Sequence, residues 1–166
     1  MNDVLPSIDA YAAATDPAGQ RRFNELLIQQ FRTNAGTVTG QFAGLPVLLL
    51  RTVGAKTGMP RTTPLVYLQH GDRYLLIASK AGAPTNPAWY HNLVATPTAS
   101  VEVGDERFEV NARVATGDER DRLFQKVIAQ LPIYEDYQRK TTRLIPVVVL
   151  ERLRPETAKT APGLAA

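Results

Sequence analysis

The sequence predicts a single α+β domain built on a mostly antiparallel sheet, a barrel or sandwich in preference to a doubly wound architecture. Three observations carry this reading. Six short strand-like runs follow one another over short connections between Leu45 and Leu153. Helical patterns do not alternate with those runs as parallel βαβ units require. An amphipathic helix precedes the first strand.

The first fifteen residues lack periodicity and predict a mobile arm over residues 1–15. Asp16 before Pro17 supplies an N-cap and a first-turn proline, and Phe23, Leu26, Leu27 and Phe31 recur at helical spacing until Gly36 ends the run. Arg21, Arg22 and Arg32 lie on the polar face of this helix. It is expected to pack over one end of the barrel, with peripheral contact to an acidic membrane surface through residues 17–35 as the other option. The small and polar run TVTGQFAG up to Gly44 predicts a connector free to move.

Strands are predicted over Leu45–Thr52, Thr62–Leu68, Tyr74–Ser79, Ala99–Val103, Arg107–Ala115 and Ile145–Leu153, with hairpin turns at His70–Arg73 and Gly104-Asp105. Asn86 ahead of Pro87 predicts the N-cap of a helix through Ala95. Thr116-Gly117-Asp118-Glu119 predicts the cap of another helix, which runs to about Gln130 with Leu123, Val127 and Ile128 as its buried stripe. Leu131-Pro132 breaks that helix ahead of a short turn through Tyr137. Pattern is lost after Arg154, so the expected domain is 16–153 with a disordered tail over 154–166.

A chain of 166 residues with 44% hydrophobic and 21% charged residues is ordinary for one globular core. Its longest apolar run, Leu45 to Leu50, is far too short to span a bilayer, and the N-terminus has no basic stretch before an apolar core. A cytoplasmic protein is expected. The absence of cysteine excludes disulfides, thiolate metal sites and a cysteine nucleophile, and two isolated histidines, His70 and His91, give no reason to expect a metal. The formal net charge is +3, but the cations are scattered among acids without interleaved aromatics. That pattern suits a discrete anionic ligand and not nucleic acid.

Glycine, proline, cations and aromatics concentrate between Val53 and Asn92. Gly54 and Gly58 bracket Lys56, with Arg61 just after Pro60, so a short loop carries two cations and several backbone N–H groups able to face an anion. It is not a Walker loop, because Lys56 precedes the second glycine and the chain continues into a strand. The plain alternative is a solvated basic turn. The apolar run Tyr74–Ala78 ends at Ser79-Lys80, and the helix starting near Asn86-Pro87 turns its first N–H groups toward the same space. No GxSxG or SxxK spacing surrounds Ser79, which argues against a serine hydrolase.

The segments GAKTGMPRTTPL, ASKAGAPTNPAWYHNL, YEDYQRKT and IPVVVLERL occur in this order and resemble the deazaflavin-dependent nitroreductase family, from about Leu45 to Leu153. The resemblance implies a split β-barrel of the FMN-binding kind that takes the reduced 8-hydroxy-5-deazaflavin coenzyme F-420, in a family that includes quinone reductases. It implies cofactor contacts at Lys56, Thr57, Gly58, Pro60, Arg61, Thr63, Pro64, Ala78, Ser79, Lys80, Trp89 and Asn92. Of these, Lys56, Arg61 and Lys80 match contacts to the phosphate and polyglutamate tail. Ser79 matches a serine beside the ring that is implicated in hydride transfer; the plain alternative is a strand end. Trp89 has the alternative of a core aromatic. Tyr134 and Tyr137 match two tyrosines of the acceptor pocket, which with Ser79 complete the expected catalytic set. Leu131 and Val66 depart from the aromatics of the nitroimidazole-activating members, which favours a quinone over a nitroaromatic substrate. Two rivals stand beside this expectation: an FMN enzyme of the same fold, and a deazaflavin-binding protein without catalysis. No oligomeric state follows from the residues.

Overall fold

The computed structural model describes residues 17–39 and 42–153, so the expected arm and tail lie outside the described residues. Helix α1 spans Pro17–Thr33. Its stripe of Phe23, Leu27 and Phe31 is buried against Val38, Phe42 and the first strand's Val47 and Leu49, because those apolar positions fall on one face of a 3.6-residue repeat. The connector was expected to be free to move; its described residues include two that pack against the helix. Val38 and Phe42 fill gaps beside the stripe, with the Phe23 and Phe42 rings 5.9 Å apart. The Gln30 side chain also donates to Thr39 Oγ1 at 2.6 Å and accepts from the Thr39 N–H at 3.1 Å.

Seven strands follow: β1 Val47–Val53, β2 Pro60–Val66, β3 Leu68–His70, β4 Arg73–Ile77, β5 Thr98–Val103, β6 Glu106–Val114 and β7 Val147–Arg152. They form one sheet in the order β2-β1-β5-β6-β7-β4-β3, and every pairing is antiparallel. The expected Thr62–Leu68 strand is really two, divided at Tyr67, whose N–H donates to the Pro46 carbonyl at 3.0 Å as the last bond beside β1 before Leu68 pairs with Leu75 of β4. The sheet's two outermost strands are therefore consecutive pieces of chain. The sheet must curl until its ends meet, which is the split β-barrel.

Two strands read as unbroken apolar runs because both of their faces are covered. In β1, Leu48 and Leu50 enter the barrel interior, while Val47 and Leu49 lie under α1. In β7, Val148 and Leu150 point inward, while Val147 and Val149 pack with Leu123, Phe124 and Val127. Those three residues come from α3, Gly117–Gln130; Phe124 joins the expected stripe and Ile128 is only partly covered.

Helix α2, Ala88–Ala95, is capped by Pro87 and not by Asn86. The Asn86 Oδ1 accepts instead from an Arg143 guanidinium nitrogen at 2.6 Å, so it is unavailable to the helix. Thr116 occupies the N-cap of α3 in extended geometry, but its hydroxyl makes no capping bond. Asp118 and Glu119 in the first turn complement the helix dipole. Arg113 donates to both Glu119 carboxylate oxygens, at 2.6 and 3.1 Å, and to Glu151 at 3.2 Å. These bonds tie α3 to the sheet and hold the Glu119 carboxyl below its ordinary range. Helix α4, Ile133–Arg139, sits where a short turn was expected.

Candidate functional site

The β1–β2 turn closes on itself. The Gly54 N–H donates to the Met59 carbonyl at 2.8 Å, and the Gly58 N–H to the Gly54 carbonyl at 2.9 Å. A Cβ at Gly54 would sit 2.5 Å from Thr57 Oγ1, which itself accepts from the Met59 N–H, so the turn needs glycine there. Lys56, Thr57, Gly58, Pro60 and Arg61 are exposed on this turn. Among the described residues neither Lys56 nor Arg61 has an acidic partner. Thr63 and Pro64 stand farther along β2, opposite Leu50 and Leu49 of β1.

Asn92, on α2, is buried behind the turn. Its Oδ1 accepts the Ala55 N–H at 2.9 Å and its Nδ2 donates to Thr52 Oγ1 at 3.0 Å. Its amide is thus engaged in fastening the turn to the helix. Trp89 lies one helical turn earlier and packs in the barrel interior with Leu48, Leu50 and Ala78, the position of a core aromatic.

The second loop leaves β4. Ala78 is fully buried and its N–H donates to the Pro146 carbonyl at 3.0 Å. Ser79, expected to end the strand, lies beyond it in right-handed helical geometry, and Lys80, Ala81 and Gly82 then turn left-handed with φ of 48°, 55° and 82°. Two of these three have side chains, so the loop stores backbone strain of the kind found at ligand sites. A right-handed residue followed by a left-handed one directs successive N–H groups into a shared concavity suited to an anion. Among the described residues, the N–H groups of Ser79, Lys80 and Ala81 and the Ser79 hydroxyl meet no acceptor or donor. Lys80 is exposed, its Nζ 3.4 Å from Thr85 Oγ1.

Helix α4 closes over this loop. Its Tyr134 and Tyr137 rings stand edge to face at 5.9 Å, and Lys140 Nζ lies 5.6 Å from the Tyr137 ring centre. The helix is held by Gln138, whose Nε2 donates to the Arg143 carbonyl at 2.8 Å while its Oε1 accepts from the Ile145 N–H and from Arg120, each at 3.0 Å. Leu131 and Val66 are both half-buried.

Sequence reasoning missed Arg143. Its Nε donates to the Ala83 carbonyl at 2.9 Å, one terminal nitrogen to the Ala78 carbonyl at 3.2 Å and to Asn86 Oδ1 at 2.6 Å, and the other to the Ser79 carbonyl at 2.8 Å. Burial draws its pKa below the usual arginine value. In sequence it is one cation in a threonine-rich turn ahead of a strand, with nothing local to mark it.

The turn bearing Lys56 and Arg61 and the loop bearing Ser79 and Lys80 flank one helix, α2, and Tyr134 and Tyr137 stand beside the second loop. A family model described as F420H(2)-dependent quinone reductase matches residues 24–152. The chain is 46% identical over 126 residues to an F420H(2)-dependent quinone reductase of Mycobacterium tuberculosis strain H37Rv, a match covering 74% of this chain and 85% of that protein. Among solved structures it resembles an F420-H2 dependent reductase with 41% identity and a TM-score of 0.59, over 64% of this chain and 94% of that one. It also resembles a chain described as a domain-swapped dimer, with 36% identity and a TM-score of 0.62, over 82% of this chain and all of that one. Matched along most of its length, the chain belongs to the F420H(2)-dependent quinone reductase family.

Proposed function

We infer that this chain is an oxidoreductase that passes a hydride from the reduced 8-hydroxy-5-deazaflavin coenzyme F-420 to a quinone. The observation that carries the reading is the pairing of unpartnered donors around α2: the N–H groups of Ser79 to Ala81 on one side, and the exposed cations Lys56 and Arg61 on the other. This arrangement fits a coenzyme with phosphate and carboxylate groups attached to a flat ring. Lys56, Arg61 and Lys80 would hold the anionic tail through charge-assisted hydrogen bonds. Thr57, Gly58, Pro60, Thr63, Pro64 and Ala78 would shape the backbone around it.

When bound, the coenzyme supplies the hydride. The protein's part is alignment and charge stabilisation. The Ser79 hydroxyl, which has no hydrogen-bond partner among the described residues, would donate to an oxygen that gains charge during transfer. Tyr134 and Tyr137 supply an aromatic wall for a flat acceptor. Hydride uptake delivers two electrons and one proton equivalent to the quinone, and a proton from solvent completes the hydroquinone. Nitroaromatics share the flat shape and would be secondary acceptors.

Anaerobic mixing of the protein with the reduced coenzyme and menadione tests this reading: coenzyme absorbance should change only when protein and quinone are both present. An FMN enzyme would instead bind FMN and leave the deazaflavin untouched, and a carrier protein would bind the deazaflavin without turnover. Ser79→Ala should slow single-turnover hydride transfer by roughly ten- to a few hundredfold, equivalent to about 1.5–3 kcal/mol of lost hydrogen bonding. No helix among the described residues is long and apolar enough to cross a membrane. Exposed Arg21 and Arg22 on α1 would serve peripheral contact with an acidic surface, which vesicle sedimentation tests.

A further inference from the structure

We propose that Arg143 is a positioning residue for this site: it draws the Ala78 and Ser79 carbonyls to its guanidinium and so turns the Ser79 and Lys80 N–H groups toward the coenzyme. The proposal rests on the functional reading above. A trans peptide is planar, with its C=O and N–H pointing in opposite directions. The Ala78 carbonyl shares a peptide with the Ser79 N–H, and the Ser79 carbonyl with the Lys80 N–H. With both carbonyls hydrogen-bonded to Arg143, at 3.2 and 2.8 Å, both N–H groups must face away from it. These are the donors left without an acceptor among the described residues.

The remaining two bonds fix the exit of the loop, at the Ala83 carbonyl and Asn86 Oδ1. Ala83 precedes Pro84, which has no N–H, so this anchor exports no donor. A left-handed Lys80 and Ala81 persist only where the surroundings over-determine them, and one rigid fork gripping four oxygens does so. Among the described residues Arg143 has no carboxylate partner. Its charge therefore acts on the two peptides, polarising them and strengthening the outward N–H groups as donors.

Arg120 supplies the internal contrast. It is buried and donates twice to the Ile145 carbonyl, at 3.1 and 2.8 Å. That peptide leads into Pro146, which has no N–H, so Arg120 braces the fold without orienting any donor toward a ligand.

The test uses Arg143→Ala, Arg143→Lys and Arg120→Lys, with three readouts: melting temperature, backbone amide NMR shifts, and affinity for the reduced coenzyme by fluorescence titration. Arg143→Ala is expected to keep the shifts of the sheet, to move the Ser79–Gly82 amides, and to bind the coenzyme about tenfold or more weakly, the scale of a lost charged hydrogen bond. Millimolar guanidinium should restore both shifts and affinity, whereas equal sodium chloride should not. Arg143→Lys keeps the charge but not the fork and should recover only part of the loss; if the alanine variant does not fold, it carries the same readouts. Arg120→Lys should melt earlier yet keep the Ser79 and Lys80 amide shifts near wild type. Wild-type amide shifts at Ser79 and Lys80 in the Arg143 variants would overturn the proposal, as would an affinity loss that guanidinium does not repair and Arg120→Lys reproduces. If the wild-type protein fails to bind the reduced coenzyme, the functional reading falls, and the amide shifts alone decide the role of Arg143.

Discussion

Gly82 lies against the Tyr137 carbonyl so closely that a Cβ on Gly82 would stand 2.8 Å from that oxygen and 2.9 Å from Lys140 Cβ. The contact seats α4, with its tyrosine pair, on the strained loop. Gly82→Ala would combine this clash with a φ of 82°, and should destabilise the protein by about 1–3 kcal/mol or more. Urea unfolding checks it; an unchanged midpoint would mean that the loop and helix can separate freely.

Asn92 joins α2 to the cation-bearing turn through Ala55 and Thr52. Asn92→Ala leaves the Ala55 N–H without its acceptor and should cost about 1–3 kcal/mol of stability. Hydrogen exchange at Ala55 should quicken and coenzyme affinity should fall with it. A variant with wild-type exchange at Ala55 would show that the turn holds its shape alone.

Lys56→Ala and Arg61→Ala should each weaken coenzyme binding by roughly 1–3 kcal/mol with little change in melting temperature, because both side chains are exposed. Raised salt should weaken wild-type binding in the same direction. Unaltered dissociation constants in both variants would take the turn out of the site.

Glu119 gives a pH prediction. Arg113 holds its carboxyl below the ordinary range. A group whose pKa is lower folded than unfolded adds stability above the unfolded pKa and loses it as pH falls through the folded one. Wild type should thus exceed Glu119→Gln by a constant margin at neutral pH, and the margin should close below the ordinary carboxylate range. Urea midpoints across an acid series measure it; a margin that ignores pH would assign the effect to packing instead.

The parts of the fold that local pattern encodes were legible in the sequence. The runs Val47–Leu50 and Val147–Leu150 are apolar because both faces are covered, and the glycines of the Gly54–Arg61 turn announced a tight loop. What escaped depends on distant partners. The break at Tyr67 follows from closure of the whole sheet. Asn86 followed by Pro87 is a sound local capping signal, but Arg143, 57 residues downstream, takes the side chain. Arg143 itself carries no signature, since its role exists only once β4 and the approach to β7 lie side by side. Trp89 was read as bordering a cofactor or as a core aromatic, and Asn92 as bordering a cofactor; nothing local could tell that the first packs in the interior or that the second fastens a turn.

The open margin of the sheet also has a bearing on self-association. A strand at the margin of a sheet offers a row of main-chain donors and acceptors to any extended segment that collides with it, including another copy of the same chain. Here the longer marginal strand, β2, contains Pro60 and Pro64 and an exposed Arg61. Each proline deletes a donor from that row, and the arginine places a charge beside it, so an incoming strand cannot form a continuous ladder. Residues that lead the chain from the cation-bearing turn into the barrel thereby also make its open margin a poor template for intermolecular β-sheet.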